Sequence, residues 1–352
     1  MKRILLLIMV SILTLSIIGC SQTIENSQDK EYIENSLNIR DYYPFIENTQ
    51  YQYEGIGNEF AEQVVFCEYI EGSKAQVKII NPGTTIVKVL EHSEDSIMEI
   101  YYEAEFPHIE NMISNSTERK DILLKEPLEL GNSWSDPDGH KKTITGIDTA
   151  IETPYEKLKT IEVTTELGEG STYKRYYAKD IGLVATIYED ETGQVKTLLK
   201  SIKKMPLETE ITIYYPIYDE KINDTLVVSV NNKILFKTNE KIEKTIEKLL
   251  KDPPSERLFP VISEGTIINT IVLDRDKWVL KVDFSNELTS EINMGSSQEQ
   301  EMLKCIVNTL GTFYHTEQVY ISIQGKPYES GHFGLKEGES FTVDLDGVEE
   351  FK

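Results

Sequence analysis

The chain has 352 residues, with 60 acidic against 36 basic side chains and a formal net charge of −24. That length can fill two separate cores, and a body so acidic repels nucleic acid and anionic lipid head groups, which excludes both as partners of the folded part. Three cysteines are too few for a secreted scaffold held together by disulfides.

Residues 1–19 begin with Lys2 and Arg3, continue through an apolar run from Ile4 to Ile18 and end on Gly19. The run is too short for a comfortable membrane span and has the form of a secretory signal. The ending Ile17-Ile18-Gly19-Cys20 resembles the bacterial lipobox, in which cleavage precedes a cysteine whose thiol is diacylglycerylated. The resemblance implies lipidation at Cys20, including a palmitate-type acyl chain. It also implies attachment to the cell membrane on its extracytoplasmic face, with the bilayer as partner through that anchor. Loss of Lys2 and Arg3 with the signal would take the net charge from −24 to −26.

Residues 20–40 hold the lipidated cysteine and a polar Ser/Asn/Gln-rich stretch read as a flexible tether. From 41 to 205 strand patterns follow one another: 49–54, 62–70, 74–81, 84–91, 96–106, then 141–153, 158–167, 171–178, 182–190 and 193–202. Gly72-Ser73 and Pro82-Gly83 punctuate them, and the alternation Ile161/Val163/Thr165 implies sheets with one covered face. No helix is evident, and 107–130 is less regular. The expectation is an all-β domain, a mostly antiparallel sheet curled into a half-barrel. The segments "LELGNSWSDPDGHKKTITGID", "YEKLKTIEVTT" and "KRYYAKDIGLVATI" resemble a β half-barrel segment of secreted Gram-positive proteins, which implies a fold and no chemistry.

Beyond about residue 205 the pattern changes. Strands at 210–216 and 225–230 precede a helix at 239–251, whose apolar positions Ile242, Ile246, Leu249 and Leu250 stop at Pro253-Pro254. Strands at 266–274 and 277–284, a helix at 296–314 and a strand at 318–324 complete a β-β-α-β-β-α-β order for residues 206–352, an α+β domain with helices on a sheet. The pieces "ITIYYP", "LLKDPPSERLFPVISEGTII", "VLDRDKWVLKVDFSNEL" and "GSSQEQEMLKCIVNTLGTFYHTEQVYISIQGKPYE" resemble, in order, the GerMN domain of sporulation and spore-germination lipoproteins. That resemblance implies contacts with envelope and sporulation proteins, and it allows self-association. Family members with two such domains in tandem exist, whereas here the first position holds the β domain.

The stretch "VDFSNELTSEINMGSSQEQEML" (282–303) gathers Asp283, Ser285, Glu287, Ser296, Ser297 and Glu299. It could be an active site with a serine nucleophile. No histidine or lysine base lies near the serines in sequence, so Ser285 is read as a cap, with Leu288 packing. Ser296 with Glu299, or Ser297 with Gln300, is read as a capping box. "DPDGH" (136–140) lacks the ligand spacing of a calcium loop and reads as a hairpin turn. His92, His108, His140, His315 and His332 form no metal-ligand spacing, and "EGIGN" has no helix behind it to hold a phosphate. Cys67 and Cys305 are expected as buried, unpaired small hydrophobes. In tyrosine pairs such as Tyr101-Tyr102 and Tyr176-Tyr177, one member should be exposed or line a groove. No catalytic residue, cofactor or metal is therefore assigned, and Cys20 is the one site residue. The expected function is a non-catalytic, membrane-anchored surface lipoprotein that assembles or positions envelope proteins in sporulation or germination. The alternative is a ligand-binding lipoprotein whose β domain holds a glycan or an amphiphile.

Overall fold

Period-two patterning, with β-branched and aromatic residues between glycine turns, produces one long antiparallel meander. A computed structural model describes residues 37–220, 223–291 and 294–352; the signal segment, Cys20 and the tether as far as residue 36 lie outside the described residues. The strands are β1 (Thr49–Ile56), β2 (Gln63–Glu71), β3 (Lys74–Ile80), β4 (Thr85–His92), β5 (Ser96–Ala104) and β6 (Asp121–Lys125). They continue as β7 (Ser133–Ser135), β8 (Lys141–Glu152), β9 (Lys157–Gly168), β10 (Ser171–Ala178), β11 (Gly182–Asp190) and β12 (Gly193–Lys204). β1 pairs with both β2 and β12, which joins the two runs into a 12-stranded sheet with β6 and β7 at its edges.

The curl brings those edges together without a backbone ladder. Side-chain donors from one side reach carbonyls of the other: Trp134 Nε1 to Ile122 at 3.0 Å, Lys142 Nζ to Ile122 at 2.9 Å and Tyr177 Oη to Leu123 at 3.3 Å. A half-barrel sealed in this way satisfies buried carbonyls that would otherwise be costly. Two expectations need correction. The last residues of the tether belong to the folded body, because Ile39–Tyr42 form a 3-10 turn with Ile39 buried. Tyr176 and Tyr177 are both buried because both faces of β10 are covered there: Tyr176 packs with Tyr51, Tyr53 and Leu199, and Tyr177 lies against Tyr43. Tyr101 and Tyr102 behave as expected, the latter being exposed.

β13 (Leu207–Asp219) and β14 (Asp224–Phe236) form a hairpin longer than its apolar pattern suggests. α1 (Ile242–Lys251) is followed by β15 (Ile268–Asp274), β16 (Val279–Phe284), the single turn α2 (Glu287–Ser290), α3 (Ser296–Phe313) and β17 (Gln318–Ile323). The expected order holds, but the strands divide between two sheets, β13–β14 in one and β15–β16–β17 in the other, with β16 and β17 parallel. α3 lies at the centre, with Cys305, Ile306, Asn308, Thr309 and Leu310 fully covered. The C-terminal residues wrap it. Asn308 exchanges hydrogen bonds with the Asp344 backbone; the two-residue strands β18 (Lys326–Pro327) and β19 (Phe341–Thr342) pair with β17, and β20 (Glu349–Glu350) pairs with β14.

The two regions share one apolar core. Phe66, Val87, Ile100, Phe106 and Met112 from the first join Ile213, Ile246, Val282 and Leu310 from the second. The irregular stretch after β5 is therefore buried filling, with Phe106 and Ile109 at 0% exposure. Cys67 and Cys305 are free and buried; burial pushes the Cys67 thiol up to about 12 and the Cys305 thiol well above its ordinary value. Among the described residues no helix is long and apolar enough to cross a membrane.

Candidate functional site

The serine and carboxylate stretch is structural, though not in the way its spacing suggests. Ser285 Oγ accepts the Ile267 N–H at 2.9 Å, bracing the start of β15 instead of capping a helix. Leu288 packs in the core as expected. Asp283 accepts from Ser322, the Gly325 N–H and Asn269, and these bonds outweigh burial to hold its carboxyl below the usual range. No capping box forms, because α3 starts at Gly295 without a side-chain cap. Glu299 is recruited elsewhere: Tyr328 donates to it at 2.7 Å and His332 Nδ1 lies 2.7 Å from its other oxygen. Burial raises the Glu299 pKa, but bonds from Ser330, His332 and Tyr328 prevail and lower it. His332 thus faces the Glu299 carboxylate. Ser330 Oγ is occupied by the backbone N–H groups of His332 and Phe333. Ser296 and Ser297 are exposed at the helix start.

Residues 136–140 form the expected turn between β7 and β8. Asp136 accepts the N–H groups of Asp138 and His140 and its second oxygen meets His140 Nδ1, while Asp138 pairs with Arg119. Asp136, Asp138 and His140 are close enough to share an ion, but the Asp136 oxygens already serve the turn and Asp138 is paired with Arg119.

A buried ionic cluster joins the two regions. Lys78 pairs with Glu68 at 2.7 Å and donates to the His108 carbonyl, and Gln76 donates to Glu68. Glu110 accepts Arg275 at 2.8 Å and the Leu273 N–H at 3.2 Å, and Arg275 also grips Glu103. Burial opposes the Glu110 charge, but His108 and Arg275 overcome it and lower its pKa. His108, 3% exposed, is pushed down by burial, which wins over the bond from Glu110; its Nδ1 has no partner. Every charge in this cluster spans the junction or supports one that does, so its chemistry is cohesion.

The apolar opening lies on the opposite flank of the C-terminal region. After Pro253-Pro254 the chain returns along β13, where the Phe259 N–H donates to the Pro216 carbonyl at 2.9 Å. Leu258, Val261 and Ile262 turn inward and Phe259 turns out at 49% exposure. Phe259, Val261 and Ile262 line a groove of about 410 Å³ with Pro216, Tyr218, Leu288, Met294 and Met302. Its charged lining residue is Glu291, and Asp224 and Glu264 adjoin the lining residues Thr225 and Ser263 in sequence. Among the described residues no lysine or arginine lines it.

Residues 212–329, which contain this groove, match the Germane family, described as sporulation and spore germination. The C-terminal region is GerMN-like. The first GerMN domain of the Bacillus subtilis sporulation protein GerM is similar at 20% identity and a TM-score of 0.27, over 37% of this chain and 97% of that one. The tandem GerMN domains of the same protein match at the same identity and score, and this chain spans less than half, 46%, of their length. A lipoprotein structure from Parabacteroides distasonis is similar at 14% identity and a TM-score of 0.28, over 46% of this chain and 98% of that one. No curated protein matches.

Within the GerMN-like region the groove escaped sequence reading because the stretch after Pro253-Pro254 reads only as the end of a helix. The available signal was an exposed aromatic between inward-facing Leu258 and Val261. The Glu299–His332 contact joins residues 33 apart, beyond the reach of local spacing.

Proposed function

We propose that this protein is a non-catalytic, lipid-anchored envelope protein of sporulation or germination whose GerMN-like region docks another protein through the groove at Phe259. Residues 1–19 would be the signal, Cys20 the anchor on the extracytoplasmic face, 41–205 the supporting β domain and 206–352 the docking domain. The observation that carries the reading is the groove itself: Tyr218, Phe259 and Met294 are 46, 49 and 37% exposed around a concave apolar surface. The proposed occupant is a protein segment with apolar anchors flanked by lysine or arginine, because the groove is edged by Glu291 and set in a body of charge −24. The polar clusters of the same region are committed to holding turns and strands, which supports docking over catalysis.

Capture from sporulating cells tests this. The native chain should retain an envelope protein that the F259S variant does not. Retention of no envelope protein, together with normal sporulation after deletion, would reject the proposal.

A further inference from the structure

β13 is the edge strand of its sheet, paired with β14 from Leu207 to Asp219 without a bulge. Its other side is only partly covered. The Tyr214 N–H donates to Thr309 Oγ1 at 3.0 Å, and the Pro216 carbonyl accepts the Phe259 N–H at 2.9 Å. Both residues therefore turn their backbone groups away from β14. In the same phase, just before the strand begins, the Pro206 carbonyl accepts Gln50 Nε2 at 2.6 Å. Backbone direction alternates along a paired strand, so Glu208, Glu210 and Thr212 turn their N–H and carbonyl groups outward as well. Among the described residues no hydrogen bond meets these six groups.

They open onto a cleft of about 470 Å³. One wall is β13 itself, from Glu208 to Thr212, and the other carries Ile80, Thr85, Pro107 and Phe313. Five strand residues at about 3.3 Å each give an open edge of roughly 16 Å. Gln50 closes it at one end and Thr309 at the other. The cleft has two characters. Ile211 is buried in the shared core that Ile80 and Phe313 also join, which makes that side apolar. On the opposite face of β13, Glu208 and Glu210 are exposed. Lys233 pairs with Glu208 at 2.7 Å, and Glu210 has no ion-pair partner among the described residues. The lysine lining the cleft, Lys78, is already consumed by Glu68.

We infer that this cleft takes an extended segment of another protein, which adds to β13 as a further strand and alternates apolar side chains with lysine or arginine. The outward groups of Glu208, Glu210 and Thr212 supply the ladder hydrogen bonds, the source of affinity in strand addition. Side chains on one face of the added strand meet Ile80 and Phe313. Those on the other face stand opposite Glu210, where a cation is favoured. A second copy of this chain is a poor occupant. Two β13 edges paired about their centres would set Glu210 against Glu210, and like charges directly opposite each other are destabilising. The site lies on the far side of Tyr214 from the groove at Phe259 and does not depend on it.

The test uses the full chain in detergent micelles and a fluorescent, acetylated heptapeptide of alternating valine and lysine, with binding followed by anisotropy. The same peptide N-methylated at every amide keeps its side chains and loses its donors, and should bind at least about tenfold more weakly. A valine and glutamate peptide should also bind more weakly than the lysine one. E210P removes one outward N–H and leaves the ladder to β14 intact, because a proline is tolerated where its missing N–H faces out of the sheet. It should weaken the lysine peptide about tenfold. E210Q keeps the N–H and should lose only the preference for lysine over glutamate. F259S should bind the peptide as the native chain does, which separates this edge from the groove. The inference is overturned if the native chain fails to bind the lysine peptide at millimolar concentration or binds the N-methylated form equally. It is equally overturned if folded E210P binds like the native chain. A native dimer that E210P dissociates in sedimentation would overturn it too, by giving the edge to a second copy.

Discussion

The junction between the two regions and the groove at Phe259 use their side chains in opposite ways. At the junction Glu68, Lys78, Glu110 and Arg275 are buried or half-buried and each is held by at least one oppositely charged partner. At the groove Tyr218, Phe259 and Met294 expose apolar surface to solvent. Groups that are fully committed hold a fold together, and apolar surface left open is available to a partner. Substitutions at the two places should therefore separate stability from binding.

The largest effect is expected at Glu110. E110A leaves Arg275 to Glu103 alone and frees the Leu273 N–H, so chemical denaturation should show a loss of about 3 kcal/mol. Equal stability would mean the junction is not held by charge. Gly311 comes next, because a Cβ there would collide with a Val343 methyl and stand 2.9 Å from the Thr316 carbonyl oxygen. G311A should cost about 1–3 kcal/mol in the same measurement, through overpacking where the C-terminal residues cross α3.

Acid should probe the junction more gently. His108 is buried against Glu110, Lys78 and Arg275, and burial holds its folded pKa below the ordinary 6.5. The unfolded chain then takes up a proton first. The neutral histidine's contribution is complete above about pH 6.5 and declines below it, by up to about 1.4 kcal/mol per pH unit. Glu110, whose folded pKa is also lowered, contributes stability above its ordinary value of 4.5 that is lost as pH falls further. Denaturation midpoints between pH 7 and 5 should fall in the native chain and fall less in H108Q; parallel slopes would remove His108 from this role. The smallest effect on folding belongs to the groove. F259S should change stability by no more than about 0.5 kcal/mol while abolishing partner capture. A large loss of stability would make Phe259 part of the core.

Much of the fold was legible in the sequence. The hairpin at 171–178 and 182–190 was readable from alternation and its intervening Lys-Asp-Ile, and the α3 stripe from Met302 to Phe313 marked a buried helix. Where the pattern failed, tertiary structure had overridden local signals. Asn231, Asn232 and Lys233 lack strand character, yet they continue β14 because β13 pairs with them. Asp121–Lys125 is too short to stand out, and it becomes a strand by pairing with β5. At the candidate sites the missing information was long-range. Glu299 has the spacing of a capping residue but is captured by Tyr328 and His332.

The passage from β12 to β13 has a mechanical consequence. Only Met205 and Pro206 separate the two strands; Gln50 holds the Pro206 carbonyl at 2.6 Å and Leu207 is already buried. No hinge exists at that point. A pull applied at Phe259 would travel through shared packing and load the β2–β5 face in shear, so residues 38–352 would respond as a single stiff strut.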